Sequence, residues 1–487
     1  MMPLSTLTPQ PVWKWFSQLC AIPHPSKHEE AIAQHIVDWA TTKGLSVTRD
    51  TVGNVIIKKP ATPGYENRKG VVMQAHLDMV PQKNNDKAHD FTKDPIKPFI
   101  DGDWVTADGT TLGADNGIGL CATLAVLEDN SIEHGPLEAL FTVDEEAGMT
   151  GAFGLEAGYL DGEILLNTDS EDEGEVYMGC AGGVDANATF EIEHETTPED
   201  HTAFSIVVEG LKGGHSGVDI HLGRGNANKV LTRVLFELAD KHHVRVVSID
   251  GGSLRNALPR EASAEILLPS SNVNAFKEDV AKLTQIFKKE LAAVEPDLAI
   301  FVDPGEPSDV VLTLDLQRRL IAALYGIPHG VFRMSDEIEG VVETSNNLGV
   351  IQTRAKHIHV QCLIRSLMDS RRLDAQNTIG SILSLAGAKV AFDGAYPGWK
   401  PDTSSQIMGV VRDTYNNLFG EVPKIMVIHA GLECGLFKDA YPEWDMVSYG
   451  PTIRFPHSPD EKVLIDTVER FWQLTLAILK NIPVSEK

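Results

Sequence analysis

Basic residues are scarce in this 487-residue chain: 42 Lys and Arg stand against 69 Asp and Glu, a net charge of −27. That surplus of carboxylates argues against nucleic acid or an anionic membrane surface as a partner, because both are gripped through basic patches. Cysteine is scarce too. Cys20, Cys121, Cys180, Cys362 and Cys434 are scattered with no C-x-x-C pair, which argues against a disulfide framework or a cysteine-built zinc site and fits reduced thiols. No run approaches the roughly 18 consecutive apolar residues of a membrane helix. The opening MMPLSTLTPQPVWKWF has neither the basic nor the apolar segment of a secretory signal. A soluble cytoplasmic protein is expected.

What is present is ordinary globular material, 42% hydrophobic and 23% charged, long enough for two or three domains. Residues 28–43 carry helical apolar spacing that stops at Gly44. Short β-rich runs follow at 54–59, 71–77, 137–143 and 164–167, with a helical pattern at 117–129 between two of them. The alternation predicts an α/β fold, a catalytic α/β domain around a central, mostly parallel sheet. Composition shifts near 190, at the acidic EIEHETTPEDHT, and again at FDGAYPGWKPD (392–402). The chain therefore divides into a discontinuous domain, 1–188 plus 397–487, and an inserted α+β domain, 189–396. Within the insert a strand and helix order running from 204 to 292 recurs from about 312 to 395, so an internal duplication is expected.

The segment VVMQAHLDMV (71–80) reads as a buried strand, yet it ends in His76 and Asp78. Alternation puts both on one side, about 7 Å apart along the chain. A core histidine satisfied by a carboxylate is one reading; a metal ligand steadied by an aspartate is the other. Further polar groups stand where elements end. Asp115 lies in the glycine-flanked TLGADNGIG, Glu145 and Glu146 follow the strand LEALFTV, and Asp169 follows ILLN. His457 precedes Ser458, which with Glu461 spells a capping box at a helix start. Singly each has a plain structural reading: a turn, a solvated pair, a cap, a packing residue. Together they are two imidazoles and at least three carboxylates, a donor set suited to zinc.

The motifs AHLDMVPQKN, TLGADNGIG, DEEAGM, NTDSEDEGE, LKGGHSGVDIH, LRNALPRE, IHAGLECGLF and GPTIRFPHSPDE together resemble the co-catalytic zinc aminoacylase/carboxypeptidase superfamily of metallopeptidases. Within it they resemble the branch of dipeptidases that accept aminoacyl-histidine substrates. The resemblance covers nearly the whole chain. It implies two zinc ions per subunit, with cobalt or manganese able to substitute, bridged by Asp115 and a water or hydroxide. His76 and Asp169 would complete one site, Glu146 and His457 the other. Asp78 would orient His76 and Glu145 would be the general base. His215 would steady the oxyanion. By its own chemistry Arg365, in HIHVQCLIRS, reads as a clamp for a substrate carboxylate, which a guanidinium matches bidentately, or as a salt bridge on an exposed strand face. Asn256 in LRNALPR and Glu433 in GLECG read as cleft residues, Glu433 toward a substrate amine, or as structural turn positions. The same resemblance implies a cis Asp115–Asn116 peptide, a small peptide substrate and a homodimer formed through the inserted domain, with a doubled insert covering the site within one chain as the alternative.

GGHSG (213–217) also approaches a serine nucleophile elbow, but Val218 stands where that motif needs glycine. The expected activity is hydrolysis of unblocked dipeptides, those ending in histidine such as β-alanyl-histidine included, by attack of a metal-bridging hydroxide. The rivals are an N-acyl amino-acid deacylase with the same metals and a metal-binding scaffold without activity.

Overall fold

The computed structural model describes residues 4–84 and 86–485. The chain folds into two compact units: Met1–Gly179 with Pro401–Val427 and Leu432–Lys487, and Cys180–Lys400 with Ile428–Gly431. The breaks fall at 179/180 and 400/401, where the sequence had suggested 188/189 and 396/397. The cause is pairing. The strand Gly182–Glu191 pairs with His357–Ser366 along its whole length and with Lys389–Tyr396 from Gly183 to Thr189, so it belongs to the inserted unit from its first residue.

The first unit is built on an eight-stranded sheet. Its order is Ser46–Arg49, Val55–Lys59, Leu137–Thr142, Val71–His76, Ile164–Asn167, Asp445–Ser448, Glu175–Cys180, Lys424–Ile428. The middle strands Leu137–Thr142, Val71–His76, Ile164–Asn167 and Asp445–Ser448 are mutually parallel, whereas Val55–Lys59 and Glu175–Cys180 flank them antiparallel. Three of the parallel strands are the apolar-rich runs the sequence marks: every residue of Val71–His76, Leu137–Thr142 and Ile164–Asn167 is buried, as expected where helices cover both faces.

The helix Ala114–Glu128 is buried along nearly all its length. Its small residues allow that depth. A Cβ on Gly117 would stand 2.8 Å from Leu19 and 3.1 Å from Phe16 in the helix Gln10–Leu19, and one on Gly119 would stand 2.3 Å from the Thr168 hydroxyl. A second sheet of four short strands, Ile453–Arg454, Lys462–Leu464, Trp104–Ala107 and Pro98–Asp101, carries a hairpin loop at 455–461.

The inserted unit is a nine-stranded antiparallel sheet. Eight of its strands run in the order Ala299–Pro304, His201–Glu209, Ala262–Pro269, Arg245–Gly251, Val342–Thr353, His357–Ser366, Gly182–Glu191, Lys389–Tyr396, and Gly330–Met334 pairs beside Val342–Thr353. The four helices Ala227–His242, Val273–Glu290, Leu314–Gly326 and Asp369–Leu385 supply the apolar side chains packed on it. The sheet reads as fourth, first, third and second strand of one half, then second, third, first and fourth of the other. The second half takes its first strand, Gly182–Glu191, from ahead of the first half. The two halves are nested, not tandem as the sequence had suggested, because the pairing of residues 182–191 with residues 357–366 leaves no local trace.

Candidate active site

The strand Val71–His76 delivers His76, 1% exposed, to the carboxyl end of the parallel strands. Its Nδ1–H donates to the Asp78 carbonyl at 2.9 Å, with the Asp78 carboxylate 3.4 Å away. That fixes the tautomer and turns Nε2 outward. The Asp78 carboxylate also accepts from the Ser26 hydroxyl at 2.7 Å and from the backbone N–H of Glu145 and Glu146 at 3.0 and 3.1 Å. Burial alone would raise its pKa, but His76 and these donors hold it down at about 2. Asp78 therefore anchors both the histidine and the start of the Glu145–Glu146 segment.

That segment is a single helical turn, Glu145–Gly148, entered through Asp144 at φ 56°. Consecutive residues diverge by about 100° around the axis, so the two carboxylates face different ways. Asp115 sits at a kink, φ −84° and ψ 110°, after Gly113 at φ 74°. The Asp115–Asn116 peptide is cis, in line with the resemblance. Asp169 follows the strand Ile164–Asn167 and accepts from the Asn116 side-chain amide. His457, at φ 60°, projects from the 455–461 hairpin loop.

The capping box read at Ser458 and Glu461 is not one. The helix begins at Ile465, after the strand Lys462–Leu464. Glu461, 2% exposed, instead accepts the backbone N–H groups of Leu112, Gly113, Ala114 and Asp115 at 2.7, 3.0, 2.8 and 3.2 Å. The local pattern was that of a helix start, but the donors lie more than 340 residues away, on the Asp115 loop.

These elements bring five side chains together. Asp115 Oδ1 lies 3.4 Å from His76 Nε2, and Oδ2 lies 3.4 Å from His457 Nε2. Asp169 Oδ1 is 3.3 Å from His76 Nε2, and Glu146 Oε2 is 3.0 Å from His457 Nε2. His76, Asp115 and Glu146 each offer a ligand atom within 4.8 Å of the others. The donors thus form two groups that share Asp115, one oxygen to each. Ligands held at about 2.0–2.1 Å in a tetrahedron stand about 3.3–3.4 Å apart, close to three of the four separations here.

The electrostatics suit cations as well. Burial, then repulsion from Asp115, pushes the Glu146 carboxyl up, and burial raises Asp169 and Glu145. Glu171, which the sequence reading passed over, is pushed to about 8 by burial and by Asp115 and Asp169. Glu146 Oε1 is buried with no hydrogen-bond partner. Divalent ions would relieve this crowding of negative charge.

Glu433 is wholly buried at the start of the helix Glu433–Ala440. Its Oε2 accepts from the Gln74 amide at 2.7 Å and the Thr142 hydroxyl at 2.8 Å, while Oε1 has no partner. Gln74 was the missed signal, a lone amide inside an apolar strand.

The other expected residues lie in the inserted unit. His215 Nδ1 accepts from the backbone N–H groups of Gly217 and Val218 at 3.2 and 3.1 Å, so the proton resides on Nε2. Burial and the nearby Arg365 lower its pKa to about 4, leaving it neutral. Its Nε2–H faces Arg365 Nη2 at 3.5 Å: two donors meet with no acceptor between them. Arg365 is 5% exposed and its Nε has no partner. Asn256 is exposed, on a loop clamped by Asn347, whose amide donates to the Arg255 and Ala257 carbonyls at 2.8 Å each. Ser216 is buried with its hydroxyl unpartnered, and its neighbour's Nδ1 is already occupied, so no base activates it. Sequence reasoning also missed the buried pair Ser345 and His429, 2.7 Å apart.

Known proteins agree with this architecture. A profile of the peptidase family M20/M25/M40 matches residues 72–481. The chain belongs to that family. It is therefore an enzyme, a hydrolase acting on peptide bonds. It is 53% identical over 483 residues to the cytosol non-specific dipeptidase of Escherichia coli (strain K12), covering 99% of this chain and all of that one. The crystal structure of the aminoacylhistidine dipeptidase from Vibrio alginolyticus superposes with a TM-score of 0.92 at 58% identity, covering 99% of each chain. An aminopeptidase PepT from Bacillus cereus, 16% identical with a TM-score of 0.58 over 98% of this chain and 99% of that one, shares the fold. No helix among the described residues is long and apolar enough to cross a membrane.

Proposed function

We propose that this M20 peptidase is a dinuclear zinc dipeptidase that cleaves unblocked dipeptides, those ending in histidine included. The observation that carries the proposal is the shared Asp115, with one oxygen 3.4 Å from each histidine and one further carboxylate beside each imidazole. His76, Asp115 and Asp169 would hold one ion, and Asp115, Glu146 and His457 the other. Two imidazoles and three carboxylates suit zinc, which when bound would polarise the scissile carbonyl and acidify the attacking water.

The chain's own groups supply the rest. Asp78 fixes the His76 ring and the Glu145 backbone, so the base is set in position before substrate arrives. Glu145 takes a proton from the attacking water and returns it to the leaving nitrogen. His215 Nε2–H donates to the oxyanion as the carbonyl becomes tetrahedral. Arg365, whose Nε and Nη2 lack an acceptor, receives the carboxylate one residue beyond the scissile bond. Asn256 borders the substrate, and Glu433 Oε1 is the acceptor offered to its ammonium. The names of the Escherichia coli and Vibrio alginolyticus relatives support the dipeptide length, the aminoacyl-histidine substrates and a cytoplasmic setting. A homodimer through the inserted unit remains our expectation, checked by sedimentation.

The test is hydrolysis by zinc-loaded enzyme across free, N-acetylated and C-amidated forms of several dipeptides, with β-alanyl-histidine among them. Turnover should be fastest on the free forms, with the acetylated and amidated forms poor substrates. Preference for the acetylated forms would make the enzyme a deacylase instead, and no zinc-dependent turnover would leave a binding scaffold.

A further inference from the structure

Arginine carries five N–H donors, and which edge of the guanidinium faces a ligand depends on what holds the other. In the inserted unit Arg365 Nη1 donates to the Tyr396 hydroxyl at 2.9 Å. Nε is unpartnered and Nη2 meets only the His215 donor. The free edge is therefore Nε–Nη2, which can take both oxygens of a carboxylate side by side.

The fold makes that hydrogen bond possible in two ways. Gly183 on the central strand lies opposite Arg365 on one side and Tyr396 on the other. The three residues form one row across three strands, and the middle one has no side chain. A Cβ on Gly183 would stand 2.6 Å from the Tyr396 hydroxyl, and one on Gly431 would stand 3.1 Å from its ring. The second device is a break in register. Asp393 pairs with Asp185 and Tyr396 with Gly183, so one strand spends an extra residue there, with Gly394 at φ 59°. Without that bulge Ala395, not Tyr396, would stand opposite Gly183.

We infer that Tyr396 is a positioning residue that locks Arg365 with its Nε–Nη2 edge toward the carboxylate of the substrate. The inference rests on the proposed role of Arg365 as the carboxylate reader. Tyr396 touches no reacting atom, so its contribution is to binding of the free carboxylate and not to the chemical step.

Tyr396→Phe deletes one oxygen and leaves the ring in its slot; an unchanged melting curve will verify the fold. One hydrogen bond to a charged group is worth about tenfold in affinity at the low end of its range. The expected result is a KM about tenfold higher for a free dipeptide, with kcat unchanged and kcat/KM for the amidated dipeptide unchanged. In an Arg365→Ala background the tyrosine substitution should cost nothing more. A wild-type KM, an equal loss on free and amidated substrates, or a further loss in the Arg365→Ala background would overturn the assignment. Arg365→Ala alone is the separate control. If it loses the same factor on both substrate forms, the carboxylate-reading role of Arg365 itself falls.

Discussion

Replacing Glu461 by glutamine should loosen the loop that carries Asp115 without touching a ligand atom. The carboxylate divides its work evenly, Oε2 taking the Leu112 and Gly113 N–H groups and Oε1 those of Ala114 and Asp115. Glutamine keeps one carbonyl oxygen and so two of the four bonds. Its amide NH₂ then faces the other two donors, which have no water to turn to, because Glu461 is 2% exposed. Hydrogen bonds to charged groups are worth about 1.5–3 kcal/mol each, so the loss is about 3–6 kcal/mol. Hydrogen exchange of the peptide spanning 105–125, followed by mass spectrometry, reads it locally. The amides of 112–115 should exchange about 10²–10⁴-fold faster in Glu461→Gln, since 1.4 kcal/mol is tenfold. Zinc affinity should fall in parallel. Unchanged exchange at those amides would refute the reasoning and show that the backbone holds the loop unaided.

Glu145→Gln should retain the metal content of the wild type by elemental analysis while turnover falls about 10²–10⁴-fold; near-normal turnover would remove Glu145 as the base. In the inserted unit, burial lowers His215 and His329 to about 4 and His429 to about 3. As pH falls below 6.5 the unfolded imidazoles take protons that the folded ones refuse, so stability present at neutral pH is lost progressively toward pH 4. Urea midpoints should therefore drop over that window, and His329→Gln should flatten the slope by up to one proton. Gly117→Ala should lower the melting temperature through about 1–3 kcal/mol of overpacking against Leu19 and Phe16; an unchanged melt would mean that the two helices part at no cost.

Of the side chains now grouped around Asp115, His76, Glu146 and Asp169 could be picked out because each stands at or just after the end of a buried strand, where a polar residue is conspicuous. Asp115 and His457 stand instead in a turn and a hairpin loop. His76 after VVMQA and Asp169 after ILLN carry that signal in full. What surrounds them was less legible. Glu461 looks like a helix cap because its neighbours are Ser458 and Pro459, and only a loop distant in the chain makes it a backbone acceptor. Gln74 is visible as a polar residue in an apolar strand, whereas Ser345 sits in the polar run ETSNN and His429 just past the strand Lys424–Ile428, and nothing local says which partner satisfies each one. Much of the strand and helix order of the inserted unit was readable, whereas the strand Gly182–Glu191 and the nesting it creates were not. Register is a property of two segments, and the sequence of one specifies its face but not its neighbour.

The strand Asp445–Ser448 lies inside the first sheet, between Ile164–Asn167 and Glu175–Cys180. During synthesis the ribosome releases Ile164–Asn167 long before that neighbour exists. Its four residues, all destined for burial, must wait with an apolar, unpaired edge, the kind of surface that recruits other strands. The inserted unit, continuous from Cys180 to Lys400 apart from Ile428–Gly431, can close in the interval. The nascent chain therefore matures from the middle outward, and its hydrolytic half stays incomplete, and open to chaperones, until the last hundred or so residues have emerged.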